Sequence, residues 1–234
     1  MEKGLITRYL AGYIAEMNGS EYVSKRVRAL LHRYLAWDYC YNAFSEAMVR
    51  GKNNGEKEIN LLALNLYAYL GTYGMLRGSS ALLQKNYKVC ISVARELINS
   101  DNRELCGNDF CESSFNFDRY WMRIFTLKYR LDFLLKGLTG RKPSDALLSK
   151  IMMGALGCVP AFDKYVLRGM RWLGFTNVCF DEKTIRALVK FYAENEELRQ
   201  VLPKVNGMDV PYPPMKRVDM FFWMIGKEIE EKKR

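Results

Sequence analysis

The sequence predicts an all-α, multi-helix globular fold, and three observations support this prediction. Apolar residues make up 49% of the 234 residues and charged residues 26%, which is an ordinary globular composition with enough length to bury a core. The apolar residues recur at helical spacing, and no segment shows the alternation of a strand or the turn of a β-hairpin. Capping residues and glycine-rich breaks separate the periodic segments. We expect residues 1–234 to form one compact helical unit, with 1–114 and 115–234 as its possible halves.

Four helices are predicted in the N-terminal half. They span Gly4 to Met17, Ser20 to about Arg50, about Glu56 to Leu76, and about Ser80 to Ile98. Ser20 can cap the second helix, and residues 51–55 form a loop before the third. The third helix is apolar nearly all round and is therefore expected at the centre of the fold. Residues 100–114 are polar and irregular, which predicts a mobile loop.

The segment RGSS, residues 77–80, ends the third helix and allows two interpretations. Arg77, Gly78, Ser79 and Ser80 can form a helix start that binds an anion. A helix junction with a serine cap explains the same residues without a ligand.

A row of aromatic residues marks the predicted helix at 118–136. Trp121, Phe125, Tyr129 and Phe133 recur at four-residue steps and therefore share one face. Aromatics at this spacing are typical of a core-facing stripe, and a platform on which nucleic-acid bases stack is the alternative.

The remaining helices are predicted from their caps and breaks. They cover about Ser144 to Gly157, the segment KYVLRGMRWLG at 164–174, residues 182 to about 194 with Asp181 as the cap, and Met215 to Lys227. A short turn runs to Leu202, residues 203–214 form a proline-rich surface connection, and the tail EIEEKKR is expected to fray.

The cysteine and histidine content excludes several kinds of site. Six cysteines are scattered among mostly apolar neighbours, and none belongs to a zinc-binding pattern. With one histidine in the chain, Ser-His and zinc chemistry have few residues to work with. We therefore predict reduced structural cysteines, no metal cluster and no cofactor. No apolar run is long enough to cross a bilayer and no secretory leader is present, so the prediction is a cytoplasmic protein without a membrane partner.

The charge distribution points to a polyanionic partner. The net charge is +10, and much of the surplus lies between residues 117 and 172. That segment carries eleven cations: Arg119, Arg123, Lys128, Arg130, Lys136, Arg141, Lys142, Lys150, Lys164, Arg168 and Arg171. Its four carboxylates are Asp118, Asp132, Asp145 and Asp163. Nucleic acid, and DNA in particular, is the predicted partner.

Residues 133–148, FLLKGLTGRKPSDALL, predict a hairpin between two helices. Gly137 can end the first helix in a left-handed cap, Gly140 permits close backbone approach, and Ser144 or Lys142-Pro143 starts the next helix. Such a turn leaves helix-start amides pointing outward beside two cations, an arrangement that suits a DNA phosphate. A plain turn with solvated cations is the alternative.

Lys142 and Asp163 are the two candidate catalytic residues. An amine near a helix N-terminus and beside Arg141 is expected to favour its neutral, nucleophilic form. Asp163 directly precedes the helix at 164–174, so it is predicted to be an N-cap with a fixed negative charge. That anion can stabilise the cationic sugar formed when an N-glycosidic bond breaks. A phosphate-binding or solvated lysine and a purely capping aspartate explain the same pattern.

Two segments carry a resemblance to a known family. GLTGRKPSDALL, residues 137–148, resembles the hairpin of the helix-hairpin-helix DNA glycosylases, in which a glycine turn runs into Gly-Arg-Lys, Thr-Ala and an apolar helix. VPAFDKYVLRGMRWLG, residues 159–174, is similar to the family's Val-Asp-Thr-His-Val turn followed by an Arg-containing helix that ends in Arg-Leu-Gly. The resemblance implies two helical halves flanking a cleft. It also implies a DNA-binding protein that flips a damaged or modified base and cleaves its N-glycosidic bond.

The resemblance also assigns roles to individual residues. Lys142 corresponds to the lysine nucleophile of the bifunctional members, which have lyase activity, and Asp163 to the catalytic aspartate. The nucleic-acid-binding positions implied around the hairpin and the following helix are Gly137, Thr139, Gly140, Arg141 and Arg168.

Two other functional classes stay open at the level of sequence. In the first, the chain is a non-catalytic helical adaptor that binds nucleic acid or protein, with Asp163 only a cap and Lys142 only a solvated cation. In the second, the Met- and aromatic-rich helix at 215–227 is a protein-binding surface, and no salt-sensitive DNA affinity is expected.

Overall fold

The computed structural model describes residues 4–18, 35–51, 54–106, 110–200 and 212–233. Within these ranges the chain is all-helical and has no strand. The helices are α1 (Leu5–Asn18), α2 (Leu35–Arg50), α3 (Glu56–Thr72), α4 (Val89–Leu97), α5 (Phe117–Thr139), α6 (Asp145–Leu156), α7 (Lys164–Trp172), α8 (Glu182–Glu194), α9 (Glu196–Arg199) and α10 (Pro214–Glu231). A 3₁₀ helix at Ser100–Leu105 lies within the predicted loop at 100–114. None of the described helices combines the length and apolar character needed to span a membrane.

Helix α6 lies at the centre of the fold. Every residue from 147 to 162 is buried, so α6 after its first two residues, and the turn that follows it, are covered on all sides. The prediction that the third helix is central is wrong, because α3 exposes Leu61 and Leu64 by 51% and 45%. A Cβ atom on Gly154 of α6 would lie 2.3 Å from the ring of Tyr69, so this glycine allows α3 to approach.

Helices α7 and α10 pack against each other at very short range. A Cβ atom on Gly169 would lie 2.1 Å from the carbonyl oxygen of Phe222, and one on Gly226 would lie 1.9 Å from that of Tyr165. These are backbone atoms that a side-chain rotation cannot move. Glycine at both positions is therefore required for this crossing, which fixes the start of α7 against α10.

Several predicted helix boundaries are confirmed and others are wrong. Asp181 caps α8 by accepting the amide of Thr184 at 2.8 Å. Helix α5 begins at Phe117 rather than Asp118, because the side chain of Asn116 caps it. The expected fraying of the C-terminal tail is also wrong, since α10 continues to Glu231.

The segment RGSS does not start a helix. Residues 77–88 form turns, and the next helix, α4, begins only at Val89. The hydroxyl of Ser80 accepts the amide of Leu82 at 3.2 Å, which closes a local turn. Both interpretations of residues 77–80, the anion-binding helix start and the helix junction with a serine cap, are therefore wrong.

Two predictions fall outside the described residues. The cap at Ser20 with the first part of its helix, residues 20–34, is one, and residues 203–211 of the proline-rich connection are the other. The last part of the predicted second helix is α2.

None of the six cysteines forms a disulfide. Burial raises the pKa of Cys90 to about 12 and that of Cys106 to about 11, so both thiols are protonated at neutral pH. Burial likewise raises the pKa of the Cys158 thiol well above its usual range.

Candidate functional site

The basic hairpin joins α5 to the central helix α6. Helix α5 runs through Gly137 and ends at Thr139, and Gly140 is the left-handed C-cap with φ of 72°. The amide of Gly140 donates to the carbonyl of Lys136 at 2.9 Å. The prediction that Gly137 caps the helix is wrong, because the buried face of α5 continues through Leu135 to Thr139 and carries the helix one turn further.

The backbone of the hairpin is largely satisfied from within. The hydroxyl of Thr139 donates to the carbonyl of Leu135 at 2.7 Å and accepts the amide of Arg141 at 3.2 Å. Ser144 caps α6 by accepting the amide of Leu147 at 3.2 Å. The amides of Gly140 and Arg141 therefore already have partners, and the side chains of the cations are the groups that the hairpin presents to solvent.

Most of the cations in the basic segment are paired, and the hairpin is the exception. Ion pairs join Arg119 and Arg123 to Glu104, Lys128 to Asp145, Arg130 to Glu96, Lys150 to Asp163, and Lys164 and Arg168 to Glu230. The four others, Lys136, Arg141, Lys142 and Arg171, have no carboxylate of the described residues within 4.0 Å. Three of these four lie at the hairpin, so it carries the available positive charge of this segment.

The predicted DNA contact Arg168 is partly buried and is engaged in an ion pair. Its guanidinium pairs with Glu230 of α10, and Lys164 lies 3.5 Å from the same carboxylate. Arg168 therefore fastens α7 to α10 in this structure, and a role in nucleic-acid binding stays a prediction.

The aromatic row of α5 is on the surface. Phe125, Tyr129 and Phe133 are 51%, 66% and 70% exposed, and Trp121 is half-buried. The prediction of a core-facing stripe is wrong for the three exposed rings. Helix α5 packs through another face, which includes Ile124, Leu127, Leu131 and Leu135.

Lys142 is exposed and lines a groove beside this aromatic row. The groove has a volume of about 330 Å³. Its walls include Trp121, Phe125 and Tyr129 of α5, together with Lys142 and Phe180. Lys142 thus lies at the edge of an open aromatic surface.

Asp163 is both an N-cap and a member of a buried ion pair. Its Oδ1 accepts the amides of Tyr165 and Val166 at 3.0 and 3.2 Å, as the sequence predicts for the residue before α7. Its Oδ2 lies 3.0 Å from the Nζ of Lys150, and the two side chains are 12% and 5% exposed. The amine next to Asp163 is therefore Lys150 of α6, and the expectation that Lys142 fills this place is replaced by the observed pair.

Lys150 is a site residue that the sequence pattern suggested only as one surface cation among eleven. Its Nζ also donates to the carbonyl of Tyr73 at 3.1 Å, so it connects α6 to the end of α3 as well as to α7. A single lysine within the apolar helix LLSKIMMGAL was the available indication, because a cation in such a segment must find a buried partner.

Hydrogen bonds from α6 and α10 hold the turn that carries Asp163. The hydroxyl of Ser149 accepts the amide of Phe162 at 2.8 Å, and the Oδ1 of Asp219 accepts the amide of Ala161 at 2.8 Å. The ring of Phe162 stacks on Phe180 with centroids 4.9 Å apart. The carboxylate is consequently held by both neighbouring helices.

A second buried group of charges adjoins the first. Lys216 Nζ lies 3.7 Å from the Oδ2 of Asp219, and Asp38 is 2% exposed. Burial raises the pKa of Asp219 to about 6, opposed by the charge of Lys216 and reinforced by that of Asp163. Burial also raises the pKa of Asp38 to about 6 and lowers that of Lys216. Two carboxyl groups in the core therefore titrate near neutral pH.

Aromatic side chains enclose the second charge group. Lys216 Nζ lies 3.3 Å from the hydroxyl of Tyr13 and 4.8 Å from the ring centroid of Trp37. Burial raises the pKa of the Tyr13 hydroxyl well above its usual range, and that of Tyr69 as well. These hydroxyls are neutral donors and acceptors within the core.

The site has the groups for proton and amine chemistry. In the described part of the chain no cluster of three or more His, Cys, Asp or Glu side chains is suited to a metal ion. The Lys150–Asp163 pair supplies an amine and a fixed carboxylate in contact, and Asp219 supplies a carboxyl group that can exchange a proton near neutral pH.

The fold and the site define an all-helical protein in which an exposed basic hairpin leads directly into a helix whose buried Lys150 pairs with Asp163, the N-cap of the next helix. Comparison of the chain with protein-family models, curated proteins and solved structures gives no match.

Proposed function

We propose that the chain is a DNA-binding, glycosylase-like protein that cleaves the N-glycosidic bond of a damaged or modified base. The observation that carries this proposal is the contact of Lys150 Nζ with Asp163 Oδ2 at 3.0 Å, next to the basic hairpin. It combines the two groups that such a cleavage needs, a nitrogen nucleophile and an anion that stabilises a cationic sugar.

In the proposed reaction Lys150 replaces Lys142 as the nucleophile. Lys150 gives one proton of its ammonium group to the departing base, its amine attacks C1′ of a flipped nucleotide, and the C1′–N bond breaks with its electron pair on the base. The base takes up one proton and the amine loses one, so the step is balanced. Asp163 stabilises the positive charge that develops on the sugar. Lys150 must become accessible for this step, which requires movement of the groups that cover it when DNA binds.

Lys142 and the other hairpin cations have a different role in this proposal. Lys136, Arg141 and Lys142 are exposed and have no carboxylate of the described residues in contact, so they can bind phosphates without first breaking an ion pair. For duplex DNA, each phosphate that a variant no longer neutralises is expected to reduce the salt-dependence slope by about 0.9. Arg141→Ala and Lys142→Ala therefore weaken duplex binding for all sequences alike.

A non-catalytic nucleic-acid-binding protein is the second candidate, and the burial of the same pair favours it. Both oxygens of Asp163 are engaged, with amides on Oδ1 and Lys150 on Oδ2. A pair with side chains 12% and 5% exposed also serves to fasten α6 to α7. Binding at the hairpin would then occur without chemistry.

Borohydride trapping separates the candidates. The wild-type protein is incubated with duplexes that contain an abasic site or one of a panel of modified bases, and adduct and base release are both measured. An adduct that disappears in Lys150→Met and persists in Lys142→Ala supports the proposal. An adduct that requires Lys142 instead identifies Lys142 as the nucleophile, as the sequence resemblance implies. Base release without an adduct indicates that water is the nucleophile.

A result with neither adduct nor base release on any substrate, together with salt-dependent duplex binding, supports the non-catalytic candidate. Because Lys150→Met leaves Asp163 without its partner, the double variant Lys150→Met/Asp163→Asn is tested beside it. Circular dichroism confirms that each variant is folded before its activity is compared.

A further inference from the structure

We propose that the exposed aromatic row of α5 is a stacking surface for an unpaired nucleic-acid strand, whose phosphates are bound by the hairpin cations. The proposal rests on the nucleic-acid-binding part of the proposed function and names the form of nucleic acid. It is independent of whether Lys150 and Asp163 cleave a bond.

The first observation is the exposure of the rings. Phe125, Tyr129 and Phe133 are 51%, 66% and 70% exposed on one helix, and Met122 is 58% exposed. Large apolar side chains in such a contiguous row are uncommon on a monomer surface and mark an interaction site. Three aromatic rings offer flat faces on which bases can stack regardless of their identity.

The second observation is the spacing. Residues four apart on an α-helix are separated by about 6 Å along its axis, at 1.5 Å per residue. Phe125, Tyr129 and Phe133 follow each other at this interval within the continuous helix α5. Successive bases of an extended single strand can therefore meet successive rings, whereas the paired and stacked bases of a duplex cannot.

The third observation is charge complementarity at one end of the row. Lys136 lies one turn beyond Phe133, and Arg141 and Lys142 follow in the hairpin. These three side chains are exposed and have no carboxylate of the described residues within 4.0 Å. A strand that stacks on the row has its phosphates within reach of the hairpin, and this favours a polyanion over a second apolar surface.

The carboxylates near the row are mostly engaged. Asp145 pairs with Lys128 at 2.9 Å, and Asp181 accepts the amide of Thr184. Asp132 lies on the groove wall and is half-buried. The strand is therefore expected to follow the exposed rings toward the hairpin and to keep its phosphates away from Asp132.

The test measures binding of a fluorescein-labelled 20-nucleotide oligo-dT and of a duplex of the same length, by anisotropy at several salt concentrations. Tyr129→Ser and Phe133→Ser are each expected to weaken oligo-dT binding roughly tenfold and duplex binding much less. Leu61→Ser is the matched control, because Leu61 is an apolar side chain of α3 with 51% exposure. Lys136→Ala is expected to lower the salt slope for oligo-dT by about 0.7.

Three outcomes overturn the inference. The first is oligo-dT affinity that does not change in Tyr129→Ser and Phe133→Ser. The second is an equal loss of affinity in these variants and in Leu61→Ser. The third is a wild-type dimer in sedimentation experiments that the aromatic variants dissociate, because the row would then be covered by a second copy of the chain.

The double variant Lys150→Met/Asp163→Asn keeps this inference separate from the proposed function. It is expected to lose base excision and to bind oligo-dT like the wild type. Oligo-dT binding through the row with no excision on any duplex would contradict the proposed reaction and support the stacking surface. Base excision by the wild type, together with oligo-dT affinity that does not change in the aromatic variants, would support the proposed reaction and contradict the stacking surface.

Discussion

At the scale of single residues, the charges buried around α6 depend on their partners. Lys150 and Asp163 are held together at 3.0 Å with little solvent access. A charge in such a place is tolerated only with its partner, because water no longer solvates it. Removing one member therefore affects the fold more than removing both.

The single variant Lys150→Met is expected to lower the free energy of unfolding by about 3–5 kcal/mol, because it leaves Asp163 as an uncompensated buried charge. The double variant Lys150→Met/Asp163→Asn is expected to recover part of this loss. Urea unfolding at pH 7 measures both. Lys142→Met is the control, and it is expected to stay within about 0.5 kcal/mol of the wild type because Lys142 is exposed. Equal losses in Lys150→Met and Lys142→Met would show that the buried pair is not a pair in solution.

The raised pKa of Asp38 predicts a pH-dependent loss of stability. Its pKa is about 6 in the folded chain against a usual value of 3.8, so the folded state holds a proton that the unfolded state has already lost between these values. The contribution of Asp38 to stability is present below pH about 4 and is lost as the pH rises through 6. The resulting decrease in the free energy of unfolding is up to about 3 kcal/mol.

Asp38→Asn is expected to remove this contribution, so the free energy of unfolding of the variant falls less than that of the wild type between pH 4 and pH 7. Urea unfolding at both pH values gives the comparison. Asp118→Asn, at an 81% exposed side chain, is the control and is expected to follow the wild type. Parallel pH profiles for wild type and Asp38→Asn would contradict the assignment.

At the scale of helices, glycine decides how closely two elements approach. The α7–α10 crossing places Gly226 against the backbone of Tyr165, and Gly169 against that of Phe222. This contact holds the first turn of α7, and with it Asp163, against the charges of α10. Close packing at one crossing thereby determines the position of a carboxylate.

Gly226→Ala is expected to destabilise the protein by about 3 kcal/mol, because the new methyl group must displace a backbone carbonyl. Gly137→Ala makes the same chemical change inside α5, where no atom lies within 4 Å of the added Cβ. It is expected to be neutral or to stabilise by up to about 1 kcal/mol through helix propensity. Thermal unfolding of Gly226→Ala and Gly137→Ala measures both effects. A stable Gly226→Ala protein would show that α7 and α10 are further apart than described.

At the scale of the whole molecule, one carboxylate connects α9 to the start of α1. Glu197 of α9 accepts the amides of Gly4 and Thr7 at 2.9 Å each and the hydroxyl of Thr7 at 2.9 Å. It thus supplies the N-terminal cap of α1 from a position 190 residues away in sequence. These hydrogen bonds from the amides of Thr7 and Gly4 lower the pKa of Glu197.

Glu197→Ala is expected to cost about 1 kcal/mol, the usual value of a lost helix cap, and to increase hydrogen exchange at the amides of residues 4–7. Because the pKa of Glu197 is lowered on folding, its contribution is present above the usual carboxyl pKa and is lost as the pH falls. Glu196→Ala, at the exposed neighbour, is the control. Unchanged exchange at residues 4–7 in Glu197→Ala would mean that α1 is capped in another way.

The sequence by itself determined the all-helical class, the caps at Ser144, Asp163 and Asp181, and the hairpin between α5 and α6. These features depend on local hydrogen bonds and on helical periodicity, which act over a few residues. The left-handed cap lies at Gly140 and not at Gly137 as the sequence predicts, because either glycine can adopt the conformation and only the length of the buried face of α5 selects one.

The tertiary structure alone decided which face of α5 is covered and which lysine meets Asp163. Periodicity shows that Phe125, Tyr129 and Phe133 share a face, but it does not show whether another helix packs on that face. Lys150 and Asp163 come together because α6 and α7 meet at the buried turn between them, with Ser149 and Asp219 fixing its amides. Contacts between separate helices depend on how the whole chain fills its core, and that information is distributed over all the residues that pack there.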